Sequence, residues 1–421
     1  MKITILTAFP EMIENYVSSS ILGRARKNNA LTINIVNIRD FALDSYGHID
    51  DYCYGRGGML FSAVSLEKAL KSASENFHGG KRPFVVFPTP EGVHLNQDIV
   101  EDLAGQKEIL IICGHYEGLD DRFVETAVDL KVSLGDFVVT GGELAAMAVI
   151  DSVARLLPNV VGSEASVTND SFYDGMLDTP HYTRPEVWND LKVPPVLLSG
   201  NESEIDTWRR RKSIERTLKA RPDILARCPL NPWISSGAYV AEVHYPVLGK
   251  NGEVCASGFT ALDLHDIARA ARTYGIKKYL LITPVKEQRE MAQKIKDHWT
   301  KGWGASYNEA RREAFSTLKI CASLEGAIEW VKEKEKKEPY TVATSARKRA
   351  GSMGWVAVKR HIFEQDVPPV FLFGTSWGLA DSVFETASVT MSPLLGGGDE
   401  YNHLSVRSAV SIVLDRFFAK K

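Results

Sequence analysis

Four ionisable residues near the middle of the chain have the types that proton transfer requires. Arg155 ends an apolar stretch, Asp170 lies in the polar segment after it, and Asp178 and His181 follow. A carboxylate can accept a proton as a general base, and an arginine can stabilise negative charge that develops on a reacting group. The alternative is an ordinary Arg–Asp ion pair among solvated loop charges, because most surface charges contribute little. Spacing alone leaves both interpretations open.

Four glycines in two loops are candidates for contacts with a ligand. Gly114 and Gly118 follow the apolar run Ile109–Cys113, and Gly141 and Gly142 precede a helix-like segment. A glycine directly after a strand lets a ligand approach the backbone, because no Cβ intervenes. Open parallel α/β sheets bind ligands at the carboxyl ends of their strands. The alternative is that these glycines serve tight turns only.

Several common classes of protein are excluded by missing motifs. The chain has no Gly-x-x-x-x-Gly-Lys-Ser/Thr loop, no Gly-x-Gly-x-x-Gly after the first strand and no His-Glu-x-x-His helix. These absences argue against a P-loop NTPase, a dinucleotide-binding Rossmann domain and a zincin. Five widely spaced cysteines form no Cys-x-x-Cys pair, which argues against a zinc ribbon and favours reduced thiols. The formal charge of −3 excludes a uniformly basic coat but not a basic patch.

The elements that must position these residues alternate between strands and helices. Continuous apolar strands followed by helices predict parallel α/β sheets covered on both faces. The candidate strands are Ile3–Leu6, Ile33–Ile38, Phe84–Phe87, Ile109–Cys113, Ala241–Tyr245, Tyr279–Ile282, Thr341–Thr344 and Val370–Phe373. The candidate helices include Leu66–Ala73, Glu143–Leu157, one capped by Asp263, one opened by Pro284, and a last helix with an apolar stripe from Val406 to Phe417.

The two halves of the chain share a local pattern. Gly114-His115-Tyr116-Glu117-Gly118-Leu119-Asp120-Asp121 and Gly374-Thr375-Ser376-Trp377-Gly378-Leu379-Ala380-Asp381 each follow an apolar strand with the same spacing of Gly, Gly, Leu and Asp. Each half also places a glycine-containing loop shortly before a long helix. This repetition predicts one fold used twice.

A basic helical segment lies between the halves. From Thr207 to Arg227, eight basic residues oppose two acidic ones, a net charge of +6. Such a segment can contact phosphates, and Trp208 and Trp233 can stack on bases. The alternative is an exposed helix whose arginines pair with acids elsewhere.

Four long motifs in residues 1 to 230 resemble the bacterial tRNA (guanine-N1)-methyltransferase (TrmD) family. They are residues 112–118, 134–144, 178–185 and 193–200. The resemblance implies an α/β fold of the SPOUT type, a parallel sheet whose C-terminal part is tied in a trefoil knot. It also implies a homodimer, S-adenosylmethionine (SAM) as methyl donor, dependence on Mg²⁺, and methylation of N1 of the guanine immediately 3′ of the tRNA anticodon. The basic segment matches the family's small RNA-gripping domain.

The resemblance also implies roles for individual residues. Asp170 would be the catalytic base, Arg155 would balance charge on the guanine O6, and Glu117 would lie near the methyl donor. No metal ligand is assigned. The loop Tyr54–Met59 departs from the family in length and carries Arg56 for a glycine, and His115 stands where arginine is frequent. SAM would contact Phe87, Pro88, Thr89, Gly114, Tyr116, Leu134, Gly135, Phe137, Val139, Gly141 and Gly142.

Residues 237 to 421 resemble a second SPOUT family of SAM-dependent RNA methyltransferases of unknown substrate. The motifs are residues 243–247, 251–253, 263–269, 373–379 and 401–410. A non-catalytic module that binds SAM or RNA, or steadies the dimer, is the alternative for this half. His403 and His265 are equally compatible with a structural role. The SAM pocket is expected near Gly374, Gly378, Leu394, Tyr401, Asn402, His403 and Leu404.

We therefore expect two knotted SPOUT domains with a helical tRNA-binding domain between them. The expected bounds are 1–160, a flexible linker at 161–178, the helical domain at 179–235, and the second SPOUT domain at 237–421. The interrupted apolar runs predict no signal peptide and no membrane span, hence a cytoplasmic enzyme. An RNA chaperone without chemistry is the rival for the whole chain.

Overall fold

The computed structural model describes residues 1–55, 57–74, 82–162, 170–397 and 401–419. Arg56 and residues 163–169 of the expected linker lie outside these ranges. The chain divides into two compact units, Met1–Tyr173 and Asp174–Lys421. No helix among the described residues is long and apolar enough to cross a membrane.

The first unit is built on a five-stranded parallel sheet in the order β2-β1-β6-β5-β7. A short antiparallel hairpin, β3–β4, lies beside it. Its strands are β1 (Lys2–Thr7), β2 (Thr32–Asn37), β3 (Asp50–Tyr52), β4 (Met59–Phe61), β5 (Phe84–His94), β6 (Glu108–Ile112) and β7 (Leu130–Ser133). Its helices are α1 (Pro10–Val17), α2 (Ser20–Lys27), α3 (Ala63–Ser74), α4 (Gln97–Ala104), α5 (Asp121–Ala127) and α6 (Glu143–Arg155).

Both faces of this sheet are buried, which explains its continuous apolar strands. Ile109 and Ile111 of β6 lie in one hydrophobic cluster, and Leu110 and Ile112 lie in another. Successive side chains of a strand point to opposite faces, so an apolar residue is needed at every position when helices cover both. The parallel sheet predicted from these runs is confirmed.

The second unit contains a six-stranded parallel sheet in the order β14-β13-β10-β16-β15-β17. Without the edge strand β14, this order repeats that of the first sheet strand for strand, which agrees with one fold used twice. Four short strands of the second unit form two separate antiparallel pairs, β8–β9 and β11–β12, outside this sheet. The strands of the unit are β8 (Val187–Trp188), β9 (Leu191–Lys192), β10 (Tyr239–Val243), β11 (Val247–Leu248), β12 (Val254–Cys255), β13 (Lys278–Ile282), β14 (Leu318–Cys321), β15 (Tyr340–Ala343), β16 (Pro369–Gly374) and β17 (Val389–Thr390).

The helices of the second unit cover both faces of its sheet. They are α7 (Glu202–Ala220), α8 (Ala261–Thr273), α9 (Lys286–Thr300), α10 (Trp303–Tyr307), α11 (Glu309–Ser316), α12 (Leu324–Glu335), α13 (Trp355–Gln365), α14 (Asp381–Thr386) and α15 (Val406–Phe418). The expected cap of α8 was wrong. Thr260 is the N-cap and accepts a hydrogen bond from the Asp263 N–H, while Asp263 lies in the first turn. A hydroxyl one turn earlier satisfies the free N–H groups at the start of this helix.

The basic helical segment packs into the core of the second unit. Ile214 and Leu225 of this segment lie in the same hydrophobic cluster as Phe371 and Phe417, and just after it the Leu230 N–H donates to the Phe417 carbonyl at 2.9 Å. Burial raises the pKa of the Cys228 thiol in this cluster to about 12, so the thiol is an apolar group here. The segment at 179–235 therefore shares one core with the second sheet, rather than having a core of its own.

Leu230→Ala is expected to destabilise the second unit by about 2–5 kcal/mol, because truncating a fully buried leucine leaves a cavity. Leu198→Ala removes a side chain that is 55% exposed and serves as the control. Urea unfolding monitored by circular dichroism measures both. Equal midpoints for the two variants would contradict the shared core.

Candidate active sites

A cavity of about 270 Å³ lies at the carboxyl ends of β5, β6 and β7 in the first unit. The loops that follow these strands form its wall, as expected for a parallel sheet. Its lining includes Glu117 and all the residues expected to contact SAM in this half except Gly135. Those lining residues are Phe87, Pro88, Thr89, Gly114, Tyr116, Leu134, Phe137, Val139, Gly141 and Gly142.

Glycine is required in this wall for two different reasons. A Cβ on Gly142 would lie 2.8 Å from both the Cys113 Cα and the Gly114 backbone N, and the Gly142 N–H donates to the Gly114 carbonyl at 2.8 Å. Gly118 has open space around it but a φ of +122°, which side-chain-bearing residues rarely adopt. Close backbone approach thus explains Gly142, and turn geometry explains Gly118.

A buried carboxylate, Glu143, lies beside the cavity at the start of α6. It accepts a hydrogen bond from the Thr7 hydroxyl at 2.6 Å, and its other oxygen lies 2.7 Å from His115 Nε2. Burial, together with the nearby Glu143, raises the pKa of the Cys113 thiol. Sequence reasoning singled out His115 only as a departure and missed Thr7 and Glu143. The three residues fix the loop after β6 against the start of α6.

Thr7→Val is expected to cost roughly 1.5–3 kcal/mol of unfolding free energy, because it removes a hydrogen bond to a buried carboxylate. Thr4→Val on the same strand is the matched control. The Thr4 hydroxyl is equally buried and has no hydrogen-bond partner within the described part of the chain, so its replacement is expected to be neutral or stabilising. Denaturant unfolding of both variants measures the difference, and equal costs would contradict the role assigned to Thr7.

The structure brings Arg155 and Asp170 together. The guanidinium of Arg155 forms an ion pair with the Asp170 carboxylate, and both side chains are nearly half exposed. Neither residue lines the cavity of its own chain. Glu117, in contrast, lies on the cavity wall.

Asp178 and His181 form a separate pair in the second unit. His181 Nε2 lies 2.7 Å from the Asp178 carboxylate. Partial burial tends to raise the pKa of Asp178, but the hydrogen bonds from His181 and the Thr179 N–H outweigh it and lower the pKa. The Asp178 carbonyl also accepts a hydrogen bond from Arg216 of α7. The backbone carbonyls of Asp178 and Thr179 thus fasten the polar segment to Arg216 of α7.

A larger cavity of about 640 Å³ lies at the carboxyl ends of β15, β16 and β17 in the second unit. Six of the seven residues expected to contact SAM here are on its wall, namely Gly374, Gly378, Leu394, Asn402, His403 and Leu404. Tyr401 is outside the lining, and its ring centre lies 5.2 Å from that of His403. A Cβ on Gly374 would meet the Leu379 backbone N at 2.4 Å, so glycine is required here as it is at Gly142.

His265 lies away from this cavity, between the rings of Trp299 and Phe315. Burial and the nearby Arg311 lower its pKa. The structural interpretation of this histidine therefore agrees with its surroundings.

The basic segment shows both of the arrangements considered for it. Arg211 and Lys212 pair with Glu215, as the ion-pair alternative expects. Arg209 and Lys219, by contrast, have no ion-pair partner among the described residues and are exposed. The Trp233 indole N–H donates to the Asp174 carbonyl, and its ring packs against the core, which leaves Trp208 as the better placed of the two for stacking. A free basic surface thus remains on α7.

The described residues contain no group of three His, Cys, Asp or Glu side chains that could hold a metal ion. No ligands are therefore assigned to the Mg²⁺ that the family resemblance implies.

These features define a protein with two parallel α/β domains, each with a glycine-walled ligand cavity at its strand ends. The chain belongs to the tRNA (Guanine-1)-methyltransferase TrmD family, whose model matches residues 1–227. A model for SAM-dependent RNA methyltransferases matches residues 237–419. Both resemblances read from the sequence are thereby confirmed.

Curated relatives share either the whole chain or its first half. A tRNA (guanine-N(1)-)-methyltransferase of Nitratidesulfovibrio vulgaris is 38% identical over 429 aligned residues, covering 99% of each chain. One of Oleidesulfovibrio alaskensis is 36% identical, also over 99% of each. One of Fusobacterium nucleatum is 48% identical over 226 residues, which are 53% of this chain and 91% of that protein. The two-domain arrangement therefore recurs in full-length relatives.

Proposed function

We propose that the first unit transfers a methyl group from SAM to N1 of the guanine immediately 3′ of the tRNA anticodon. The observation that carries this is the family match over residues 1–227, and it is supported by a cavity lined by ten of the residues expected to contact SAM. When bound, SAM supplies an electrophilic methyl group on a sulfonium. The close backbone approach at Gly142 holds the start of α6 against the loop after β6, and both form part of the cavity wall.

The residues of this chain supply the proton chemistry of the proposed reaction. N1 of neutral guanine carries a proton, which must leave as the N1–methyl bond forms and the sulfur–methyl bond breaks. Asp170 takes this proton, and Arg155 stabilises the negative charge that grows on O6. The Arg155–Asp170 ion pair holds the proposed base and the proposed charge-stabilising group next to each other. No step is assigned to Mg²⁺, since no ligand group for it occurs among the described residues.

The enzyme is proposed to act as a homodimer in which Asp170 of one chain serves the cavity of the other. Two observations support this. Arg155 and Asp170 do not line the cavity of their own chain, and the exposed apolar side chains of Phe137 and Val138 lie on its wall. An exposed apolar patch of this kind is typical of a protein interface. We also propose that the sheet of this enzyme is tied in a trefoil knot and that the enzyme is cytoplasmic.

The test of the reaction is nucleoside mass spectrometry. We expect tRNA from a strain lacking this activity to gain N1-methylguanosine after incubation with SAM and the full chain, at the base 3′ of the anticodon. Binding of tRNA without any methyl transfer would favour an RNA chaperone instead.

Mixing two inactive variants tests action across the dimer. Asp170→Asn removes the base, and Gly142→Ala forces the cavity wall to shift, because the added Cβ would lie 2.8 Å from backbone atoms of Cys113 and Gly114. After chain exchange, each mixed dimer holds one intact cavity facing one intact Asp170, so N1-methylguanosine formation is expected to recover. If the mixture stays as inactive as its components, the base acts within its own chain.

The second unit is proposed to contain a SAM-dependent RNA methyltransferase domain as well, over residues 237–421. Its family match and its 640 Å³ cavity support this. The free basic surface of α7, which lies within the match to the first family, is proposed to hold the tRNA. Calorimetry of SAM on the full chain is expected to give two sites per chain. One site per chain would favour a scaffolding role for the second unit.

A further inference from the structure

A line of buried polar side chains runs beneath the cavity of the second unit. Glu242, near the end of β10, and His244, just after it, are both fully buried. His244 Nε2 lies 3.4 Å from Glu242 Oε1, and the Tyr279 hydroxyl donates to the other oxygen of Glu242. Burial, together with Glu242, raises the pKa of Tyr279 well above its ordinary value, so this hydroxyl stays a hydrogen-bond donor.

Two hydroxyl groups connect this buried pair to the cavity. His244 Nδ1 lies 3.0 Å from Ser257 Oγ, and Ser257 Oγ lies 2.5 Å from Thr375 Oγ1. Thr375 is on the cavity wall. In order, the line consists of the Glu242 carboxylate, the His244 imidazole and the Ser257 and Thr375 hydroxyls, and it ends at the cavity wall. It has the order of a hydroxyl–histidine–carboxylate arrangement in which the carboxylate supports a proton-accepting imidazole.

Burying these polar side chains is unfavourable for folding, and it is unexplained if they have no functional role. Glu242 Oε1 and His244 Nε2 are buried and have no hydrogen-bond partner in the described structure, and leaving buried polar groups unpaired is unfavourable. A shared proton between these two atoms would satisfy both. The first unit places Thr7, Glu143 and His115 at the matching strand ends, so polar contact beneath this loop recurs.

We propose that Thr375, Ser257, His244 and Glu242 form a proton-accepting relay for methyl transfer at the second cavity. This rests on the proposed function of the second unit as an RNA methyltransferase. As the bond from the substrate atom to the methyl carbon forms and the sulfur–methyl bond breaks, the substrate proton passes to Thr375 Oγ1. The hydroxyl protons then shift through Ser257 to His244 Nδ1, and Glu242 stabilises the imidazolium.

The relay limits the class of substrate. It is useful only for an RNA atom that still carries a proton, such as a ring N–H of guanine or uracil or a ribose 2′-hydroxyl. A nitrogen with a free lone pair, such as N7 of guanine, needs no proton acceptor. We therefore infer that the second unit methylates a protonated ring nitrogen or a 2′-hydroxyl.

Asp263 is the only carboxylate on the wall of this cavity within the described residues, and it is the competing acceptor. One of its oxygens accepts from Arg407 at 3.0 Å, and the other accepts from the Thr260 hydroxyl at 2.6 Å. Both oxygens are thus engaged in tying α8 to α15. This engagement favours the relay over Asp263.

The test uses the full chain with Asp170→Asn, which silences the first site. Transfer of labelled methyl from SAM to total cellular RNA is followed by nucleoside mass spectrometry, and SAM binding is followed by calorimetry. Thr375→Val and His244→Asn are each expected to lower the rate by about 10²- to 10⁴-fold while SAM binding persists, and the His244→Asn rate is expected to rise with pH. Thr375→Ser, which keeps the hydroxyl, is expected to restore transfer. Thr375 is less buried than His244, so substitutions at Thr375 are less disruptive to folding. If His244→Asn does not fold, the Thr375 variants provide the test of the relay.

Each result that differs from this expectation would lead to a different conclusion. Full transfer by Thr375→Val and His244→Asn would overturn the relay and leave the methyltransferase intact. Loss of transfer only in Asp263→Asn would assign the proton acceptor to Asp263, and 7-methylguanosine as the product would also overturn the relay. Variants that lose SAM binding would show a structural role. No methyl transfer by the Asp170→Asn chain would overturn the proposed function of the second unit, and the relay with it.

Discussion

Asp170→Asn is expected to lower N1-methylguanosine formation by about 10²- to 10⁴-fold, the range that a general base contributes. The amide keeps the size of the side chain but cannot accept the N1 proton. Asp170 does not line the cavity of its own chain, so SAM affinity is expected to stay unchanged. Single-turnover assays with one purified tRNA measure the rate, and calorimetry measures the affinity.

The matched control is Asp178→Asn. Asp178 also pairs with a basic side chain, His181, in the polar region, and the contact of this residue with α7 is made by its backbone carbonyl, which the substitution keeps. We expect its rate of methyl transfer to remain within a few-fold of the native chain. Arg155→Ala is expected to act in the same direction as Asp170→Asn, because it removes both the ion pair and the stabilisation of O6. N1 methylation that survives both Asp170→Asn and Arg155→Ala would show that the mechanism is assigned to the wrong residues.

The sheets and the glycine walls could be predicted from the sequence because they depend on local patterns. Apolar runs such as Ile109–Cys113 indicate strands buried on both faces, and the glycines after them mark the ligand edge. Two of the strands that were missed, β7 and β14, lie at sheet edges. Each is only four residues long and carries a lysine, Lys131 or Lys319, which hides the apolar pattern. Charged residues are common on edge strands.

The polar networks could not be predicted because their members are far apart in the chain. Thr7 and Glu143 are separated by 136 positions, and Ser257 and Thr375 by 118. No local spacing records such a pairing, since only the sheet topology brings these strand ends together. The same holds for the basic segment, whose charge was evident while its packing against the second sheet was not.

The two units share the same order of sheet strands but differ in the groups proposed to accept the substrate proton. Gly114 and Gly374 lie at the carboxyl ends of equivalent strands, yet the first cavity has its proposed base outside its wall, whereas the second has a hydroxyl-to-imidazole line leading from its wall. The first site thus depends on another chain in the proposed dimer. The second has the groups that it needs within one chain. Variants that block one cavity should leave the other working.

Gly142→Ala and Gly374→Ala are expected to block the two cavities separately. A Cβ added at Gly142 would press on backbone atoms of Cys113 and Gly114 at 2.8 Å, and one added at Gly374 would press on the Leu379 N at 2.4 Å. Backbone inside a sheet edge cannot give way as a flexible side chain can, so the loop must shift, at a cost of about 1–3 kcal/mol or more. We expect each variant to lose one of the two SAM sites per chain in calorimetry. Gly142→Ala should lose N1-methylguanosine, and Gly374→Ala should keep it.

Gly354→Ala provides the control, because a Cβ there would meet nothing within 4 Å and its φ of −61° suits alanine. This variant is expected to bind SAM at both sites with native affinity, and thermal melting checks that all three variants fold. Two intact sites in Gly142→Ala would show that the loop after β6 does not contact SAM. Loss of both sites in Gly374→Ala, with native melting, would show that the cavities are coupled, which the separate strand-end walls of the two units argue against.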